Sequence, residues 1–269
     1  MPKDAVSPFL RWAGSKRKLL PRLAPYWGDG YTRYIEPFMG SASLFYAANP
    51  SEAILSDINK ELVNTFVSVR DHPRAVHNRL LCIPKGKRSY KKLRKLDPAF
   101  LAPLDRAARF IFLNRYCFNG IYRTNKNGIF NVPFSPSGTG SIPTWDVFLA
   151  AARPLKSAKI VCDDFESVVN GYVLEGDFVY LDPPYAVENR RVFRQYGPQT
   201  FGLEDLKRMD EALGTIDNRG AKFVLSYAYS PEAIHYFRNW KSRKVFTQRN
   251  ISGFAKHRRM AAELIFTNI

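Results

Sequence analysis

Cysteine is scarce in this chain of 269 residues. Cys82, Cys117 and Cys162 lie far apart with no C-x-x-C pair, which argues against a disulfide framework or a thiolate zinc site. The histidines are few and scattered, without H-E-x-x-H or similar spacing, so no metal is expected. No run of about 18 apolar residues occurs. No leader-like apolar segment stands near Met1, and a soluble, cytoplasmic protein without a membrane role is expected. Internal repeats, low-complexity tracts and a G-x-G-x-x-G fingerprint are missing too. Acidic residues are outnumbered, 24 against 41 Lys plus Arg, for a formal charge of +17. Such a balance is the footprint of a polyanionic partner, most simply nucleic acid. What the chain has in ordinary measure is apolar content, 45%, enough to exclude global disorder. Its length suits one large α/β domain with an inserted subdomain.

Alternating patterns carry that fold class. Tyr34 to Phe38 reads as a strand ending in a glycine turn at Met39-Gly40-Ser41, and a helix from Ala42 to Ala48 follows. Ala53 to Ser56 is a second strand, ended by Asp57 and followed by a helix from Asn59 to about Arg70. Strand, helix, strand, helix at this spacing is the first half of a nucleotide-binding sheet. From 71 to 143 the pattern breaks into a basic, first helical and then Asn-, Gly- and Tyr-rich stretch. Alternation resumes with strands at Lys159-Ile160-Val161, Phe178 to Leu181 and Phe223 to Ser226, and a helix from Leu203 to Leu213. The expectation is one α/β catalytic domain, 1–70 and 144–269, interrupted by an insert at 71–143 with a hairpin at 116–136.

Asp182-Pro183-Pro184-Tyr185 is the most informative element. It follows the buried strand Phe178 to Leu181, at the carboxyl end where open α/β sheets present their chemistry. The two prolines stiffen the chain and keep the Pro183 carbonyl out of any helix. The Asp182 side chain and that carbonyl form a fixed acceptor pair beside a ring, Tyr185, that can stack. Such a site suits an exocyclic amino group on a planar base. In the loop after the first strand, Glu36 to Ser43, Gly40 permits close approach of a ligand and the small residues beyond it avoid clashes. Asp57, 17 residues further on, can accept from ribose hydroxyls. Order and spacing favour a nucleoside cofactor. Trp12 and Lys16 flank Gly14; Lys16 can serve a cofactor carboxylate or a DNA phosphate. In Asp163-Asp164-Phe165, one acid can accept from an adenine amino group while the ring lies against it.

The basic run Lys85 to Lys95, with Lys91 and Lys92 at its centre, reads as a phosphate contact that binds without sequence preference. Asn114 to Phe134 is different in kind, because aromatics alternate there with Arg, Asn and Lys, as a surface that stacks on bases and reads their edges needs. Asn127-Gly128 is a type I′ hairpin signal.

With these blocks in hand, the chain resembles the Dam-type, α-group (D12 class) DNA adenine-N6 methyltransferases along nearly its whole length. The matching blocks are Trp12 to Lys16, Glu36 to Gly40, Ser56 to Asn59, Asn119 to Arg123, Phe130 to Phe134, Asp164-Phe165 and the D-P-P-Y tetrapeptide, in that family's order. Two departures are Ala42, where many relatives carry a second glycine, and Ser226-Tyr227, where many have Ser-Asn. The resemblance implies a Rossmann-like methyltransferase sheet with a helical and β-hairpin target-recognition insert, and S-adenosylmethionine as methyl donor. Trp12, Lys16, Phe38, Gly40, Asp57, Asp164, Phe165 and Asp182 would line the cofactor pocket. It also implies that Phe118 and Asn119 disrupt the stack beside the target, and that Ile121, Arg123 and Pro133 contact the bases of GATC. Asn125 lies in the same DNA-reading hairpin. The partner expected is double-stranded DNA, with the protein a monomer, nucleoid-associated when bound; a cognate restriction endonuclease is an open possibility, as are the exact site and a solitary or phage-borne role.

The target adenine must leave the duplex, because its N6 is otherwise paired inside. Tyr185 would stack on it while Asp182 and the Pro183 carbonyl accept the N6 hydrogens; the final proton acceptor, Asp182 or water, stays open. Cytosine N4, adenine in RNA and glutamine amides offer a similar amino group. Asp ahead of Pro183, instead of Ser or Asn, favours adenine, and the aromatic-basic hairpin favours duplex DNA. A DNA-binding protein that has lost catalysis is opposed by the intact Asp182, Tyr185 and cofactor loop.

Overall fold

The computed structural model describes residues 6–28, 30–125, 128–135, 140–185, 201–248 and 260–269. Its strands are β1 (Tyr34–Glu36), β2 (Ala53–Ser56), β3 (Ala158–Val161), β4 (Phe178–Leu181), β5 (Lys222–Ala228), β6 (Lys241–Gln248) and β7 (Met260–Thr267). They form one seven-stranded sheet in the order β3-β2-β1-β4-β5-β7-β6. The first five run parallel, and β7 pairs antiparallel with β5 and with β6. Strand order reverses between β1 and β4, and their carboxyl ends open the crevice in which α/β sheets bind ligands.

The described helices are α1 (Leu20–Leu23), α2 (Ser43–Ala48), α3 (Lys60–Asp71), α4 (Pro73–Leu81), α5 (Lys87–Lys95), α6 (Pro103–Tyr116), α7 (Trp145–Ala152), α8 (Phe165–Tyr172), α9 (Leu203–Asn218) and α10 (Pro231–Tyr236). Because side chains alternate along a strand, the sheet sorts its residues to two faces. Tyr34, Leu55, Phe178, Tyr180 and Val224 join one core with α2, α3, α4, α6 and α7. Ile35, Ile54, Val179, Leu181 and Leu225 join the other with α8 and α9. Every residue of β4 is buried, as its unbroken apolar run requires of a central parallel strand. Helices cover both faces, so the α/β expectation is met.

Helices α4 to α6 add Val76, Leu80, Tyr90 and Phe110 to Leu113 to the first core. Helix α5 also steadies the segment after it: Tyr90 Oη (2.9 Å) and Arg94 Nη1 (3.2 Å) both donate to the Val132 carbonyl. Beyond α6 the backbone makes isolated antiparallel bridges, Cys117 with Phe134 and Thr124 with Phe130. The Gly128 amide donates to the Asn125 carbonyl (3.1 Å) and the Asn125 amide to the Ile129 carbonyl (2.9 Å). Gly128 has φ +75 and closes this turn at its last position, whereas a type I′ turn would put glycine at the centre. Asn127, the other half of the expected turn, lies outside the described residues.

Candidate active site

Strand β1 ends at Glu36, and the loop that follows is pinned by the Met39 amide, which donates to the Ser56 carbonyl at 2.8 Å. Gly40 has φ +45, and a Cβ there would lie 2.9 Å from the Trp12 indole, so glycine is needed on two counts. Ala42 also has positive φ, 53, a conformation that glycine adopts at lower cost. Asp57 lies half-buried at the end of β2. Its carboxylate accepts from the Gly40 amide (3.2 Å) and the Asn59 amide (2.9 Å). Burial, only partly offset by those two bonds, pushes its carboxyl up to about 6. Asn59 caps α3 through the Glu61 and Leu62 amides.

Rings flank this loop on both sides. Trp12 stacks with Tyr122 at 5.8 Å and with Phe110 at 6.4 Å. Across the loop Phe38 stacks on Phe165 at 5.3 Å. Asp164 caps α8 by accepting from the Glu166 amide and is bonded by Arg208, which also lies over the Phe165 ring. Asp57 presents oxygens at a glycine turn next to this ring pair, an arrangement that fits the ribose hydroxyls and base of a nucleoside cofactor.

Asp182 follows β4 at the crevice. Its Oδ1 is 2.9 Å from the Lys16 ammonium and accepts from Ser226 Oγ at 3.2 Å. Lys16 is only 7% exposed; it donates to Tyr185 Oη and lies 3.4 Å from Glu263 Oε2 of β7. Burial alone would lower the Lys16 pKa, but Asp182, Tyr185 and Glu263 outweigh it and hold the ammonium well above its usual range. Burial raises Asp182, and Lys16 and Ser226 oppose that rise. The Tyr185 phenol is pushed up to about 12, chiefly by burial. Its ring meets Tyr227 edge to face at 5.1 Å.

A model of the D12 class N6 adenine-specific DNA methyltransferases matches residues 12–253. The chain is 31% identical to the type II methyltransferase M1.LlaDCHI of Lactococcus lactis subsp. cremoris, over 99% of its own length and 96% of that protein's. It is 34% identical to the type II methyltransferase M.MjaIII of Methanocaldococcus jannaschii, over 92% and 93% respectively. With the DNA adenine methylase of Haemophilus influenzae the identity is 30%, over 98% and 94%. The chain belongs to the D12 class of N6 adenine-specific DNA methyltransferases.

In this DNA adenine methyltransferase the expected catalytic and cofactor residues converge on one edge of the sheet, Trp12 to Lys16 and Asp182 to Tyr185 included. Lys16 is the surprise among them: its ammonium is seated at Asp182. The expected DNA contacts lie elsewhere. Lys91 and Lys92 are exposed on α5, and Phe118, Asn119, Asn125 and Pro133 are exposed beyond α6. Ile121 is half-buried, and Arg123 donates through Nε to Asn131 Oδ1 at 2.7 Å. Glu263 and Arg208 had no place in the sequence reading. Glu263 sits in Ala-Ala-Glu-Leu, which has no strand signature, and Arg208 lies on an ordinary amphipathic helix. Among the described residues no helix is long and apolar enough to cross a membrane, and no cluster of His, Cys, Asp or Glu could hold a metal.

Proposed function

We propose that the protein transfers a methyl group from S-adenosylmethionine to N6 of an adenine rotated out of duplex DNA, within GATC. The observation that carries this reading is the Lys16–Asp182 contact at 2.9 Å: a nitrogen donor already occupies the acceptor that an N6 amino group needs. S-adenosylmethionine, when bound, supplies the electrophilic methyl carbon. Asp57 accepts its ribose hydroxyls, and Phe38 with Phe165 flanks its base. Asp182 and the Pro183 carbonyl accept the two N6 hydrogens, turning the nitrogen lone pair out of ring conjugation. Tyr185 stacks on the base, and Tyr227 braces that ring from its edge. Asp182, raised by burial, is a stronger base than an ordinary carboxylate and suits the proton released after transfer. Positioning and fixed charge then dominate the rate.

Residues 71–143 form the target-recognition insert. Lys91 and Lys92 meet phosphates, Phe118 and Asn119 fill the gap beside the extruded base, and Ile121, Arg123, Asn125 and Pro133 face base edges. Asn131 holds the Arg123 guanidinium through Nε, which aims the fork a guanine would accept. The enzyme acts as a cytoplasmic monomer, nucleoid-associated on DNA, and the type II names of two relatives support pairing with a restriction endonuclease. The test is methylation of plasmid from a host lacking adenine methylation, mapped by modified-base sequencing. N6-methyladenine confined to GATC is expected, and another motif would overturn the site assignment. Arg123→Ala should cost about 1–3 kcal/mol at one base pair and relax discrimination there. Equal losses on cognate and altered sites would make Arg123 a phosphate contact.

A further inference from the structure

The mechanism above uses Asp182 as an acceptor, yet in the structure its Oδ1 already holds two donors, Lys16 and Ser226. Those two donors engage both lone pairs of that oxygen, so an N6 amino group that bonds Oδ1 displaces the stronger of them. An ammonium moved off a buried carboxylate needs a second anion at once, or base entry stalls on an unpaired charge. Glu263 is that second anion. It is 4% exposed, on a strand held from both sides: β7 pairs it with Ala228 of β5 and with Val245 of β6. It lies on the same face of β7 as Ile265, which belongs to the core that also takes in Val245. Its Oε2 is 3.4 Å from the Lys16 ammonium, against 2.9 Å for Asp182 Oδ1. A shift of about half an ångström would bring the ammonium to ordinary charge-assisted bonding distance from Glu263.

We propose that Glu263 is a positioning residue for methyl transfer: it takes over the Lys16 ammonium as the target adenine takes over Asp182. The inference rests on the adenine-methylation reading. The groups that act on Asp182 are Lys16 from the N-terminal segment, Glu263 from β7, Tyr180 and Ser226 from the flanking strands, and Tyr185 beyond the prolines. Glu36, bonded by Tyr34 in β1, lies near enough to feel the Asp182 charge. Lys16 is the cation of this group, so its two carboxylate partners compete for it. A carboxylate present only for stability would have no such competition to settle.

The test is Glu263→Gln, which keeps shape and removes charge, read by single-turnover methylation across pH. Duplexes with 2-aminopurine at the target report base extrusion. The expected results are a more than tenfold loss of single-turnover rate, 2-aminopurine fluorescence within twofold of wild type because that base has no N6 amino group to displace Lys16, and an acid limb moved to lower pH. That limb shifts because Glu263 raises Asp182 in the intact protein. Affinity for a duplex lacking the target base should stay within twofold, which also reports folding. Glu263→Asp keeps the charge, and should keep the wild-type acid limb with a smaller rate loss. In a Lys16→Met background there is no ammonium to relocate, and Glu263→Gln should then be neutral or raise the rate. Additive losses in the double variant, or a rate within twofold for Glu263→Gln alone, would overturn the assignment while wild-type adenine methylation still stands. Absence of N6-methyladenine with the wild-type protein would instead remove the reading on which it rests.

Discussion

The two halves of the sheet's carboxyl edge meet the same demand, a carboxylate at the mouth of the crevice, by different means. On the β1–β2 side Asp57 is held by two backbone amides, and no cation among the described residues pairs with it. The cost there falls on the backbone, with Gly40 at φ +45 and Ala42 at φ 53 in the same turn, which the Ala42 amide closes on the Met39 carbonyl. On the β4–β5–β7 side no described residue from Asp182 to Tyr185 has positive φ, because the two prolines set the chain without strain. The cost there falls on buried charge: one ammonium shared between carboxylates. A carboxylate held by amides keeps lone pairs for neutral hydroxyl donors, whereas one held by an ammonium must trade partners before it can act. Strain suits a pocket that stays as built; charge suits one that exchanges occupants.

The largest effect should come from the charged half. Asp182→Ala and Asp182→Asn should each lower single-turnover methylation by about 10²–10³-fold or more, with duplex affinity little changed. Alanine removes the proposed acceptor, and asparagine keeps an acceptor oxygen but loses the charge that strengthens its bond to N6. Near wild-type turnover in either would break the comparison at its root, since Asp182 would then be a structural partner of Lys16 only.

The strained half should answer in affinity. Gly40→Ala forces an L-residue to φ +45 and drives its Cβ to 2.9 Å from the Trp12 indole. The backbone alone costs about 1–2 kcal/mol, and Trp12 must also shift off Tyr122. Calorimetry should show S-adenosylmethionine binding weakened at least tenfold, with the chemical step on bound complex less affected. A loss confined to turnover would mean the loop shapes the transfer geometry and not the pocket.

How much of this was legible beforehand follows the same division. Backbone requirements leave residue-type signatures, so Gly40, the small residues after it and Pro183-Pro184 pointed to the crevice through their order and their place after predicted strands. Strands β2 and β4 were equally plain, because a central parallel strand is an unbroken apolar run, whereas β1, expected to reach Phe38, ends at Glu36 ahead of Pro37, which has no amide to donate. Buried charge leaves no such mark. Lys16 reads as a lysine for a cofactor carboxylate or a DNA phosphate, not as the partner of Asp182, and only the packing of β7 beside β5 brings Glu263 to it. Strands β6 and β7 escaped for related reasons: Lys-Ser-Arg-Lys is an exposed edge with no apolar run, and Ala-Ala-Glu-Leu suits a helix as well. Helix α9 runs past its expected end at Leu213 to Asn218, because Ile216 continues the buried stripe beyond Gly214.

A pH titration separates the two carboxylates. With Asp57 pushed up to about 6, its proposed role as ribose acceptor requires the ionised form, which prevails only above that value. S-adenosylmethionine affinity should therefore fall about tenfold between pH 7 and pH 5, and Asp57→Asn should flatten the profile. Stability has the opposite sign. A folded-state value above the ordinary one means the folded chain holds more protons in that window, so the contribution of Asp57 to stability declines as pH rises through about 6. Chemical denaturation of the ligand-free protein at pH 5 and pH 7, against Asp57→Asn, measures it. A pH-independent affinity would mean the amides alone keep Asp57 charged.

The smallest effect expected is at Ala42, and it tests whether the strained half is strained on balance. Glycine there would relieve about 1–2 kcal/mol of left-handed backbone cost. Against that, it gives up a fully buried methyl worth about 0.8 kcal/mol. It also frees the unfolded chain by about 0.4–1 kcal/mol. These terms nearly cancel, so Ala42→Gly should move stability by no more than about 0.5 kcal/mol in urea and leave cofactor affinity unchanged. Stabilisation well beyond that would mean the alanine holds strain that the loop could shed. Destabilisation beyond it would mean the methyl, packed at the start of α2, matters more than the conformation it forces. Either result would place Ala42 apart from Gly40, where conformation and the Trp12 contact point the same way.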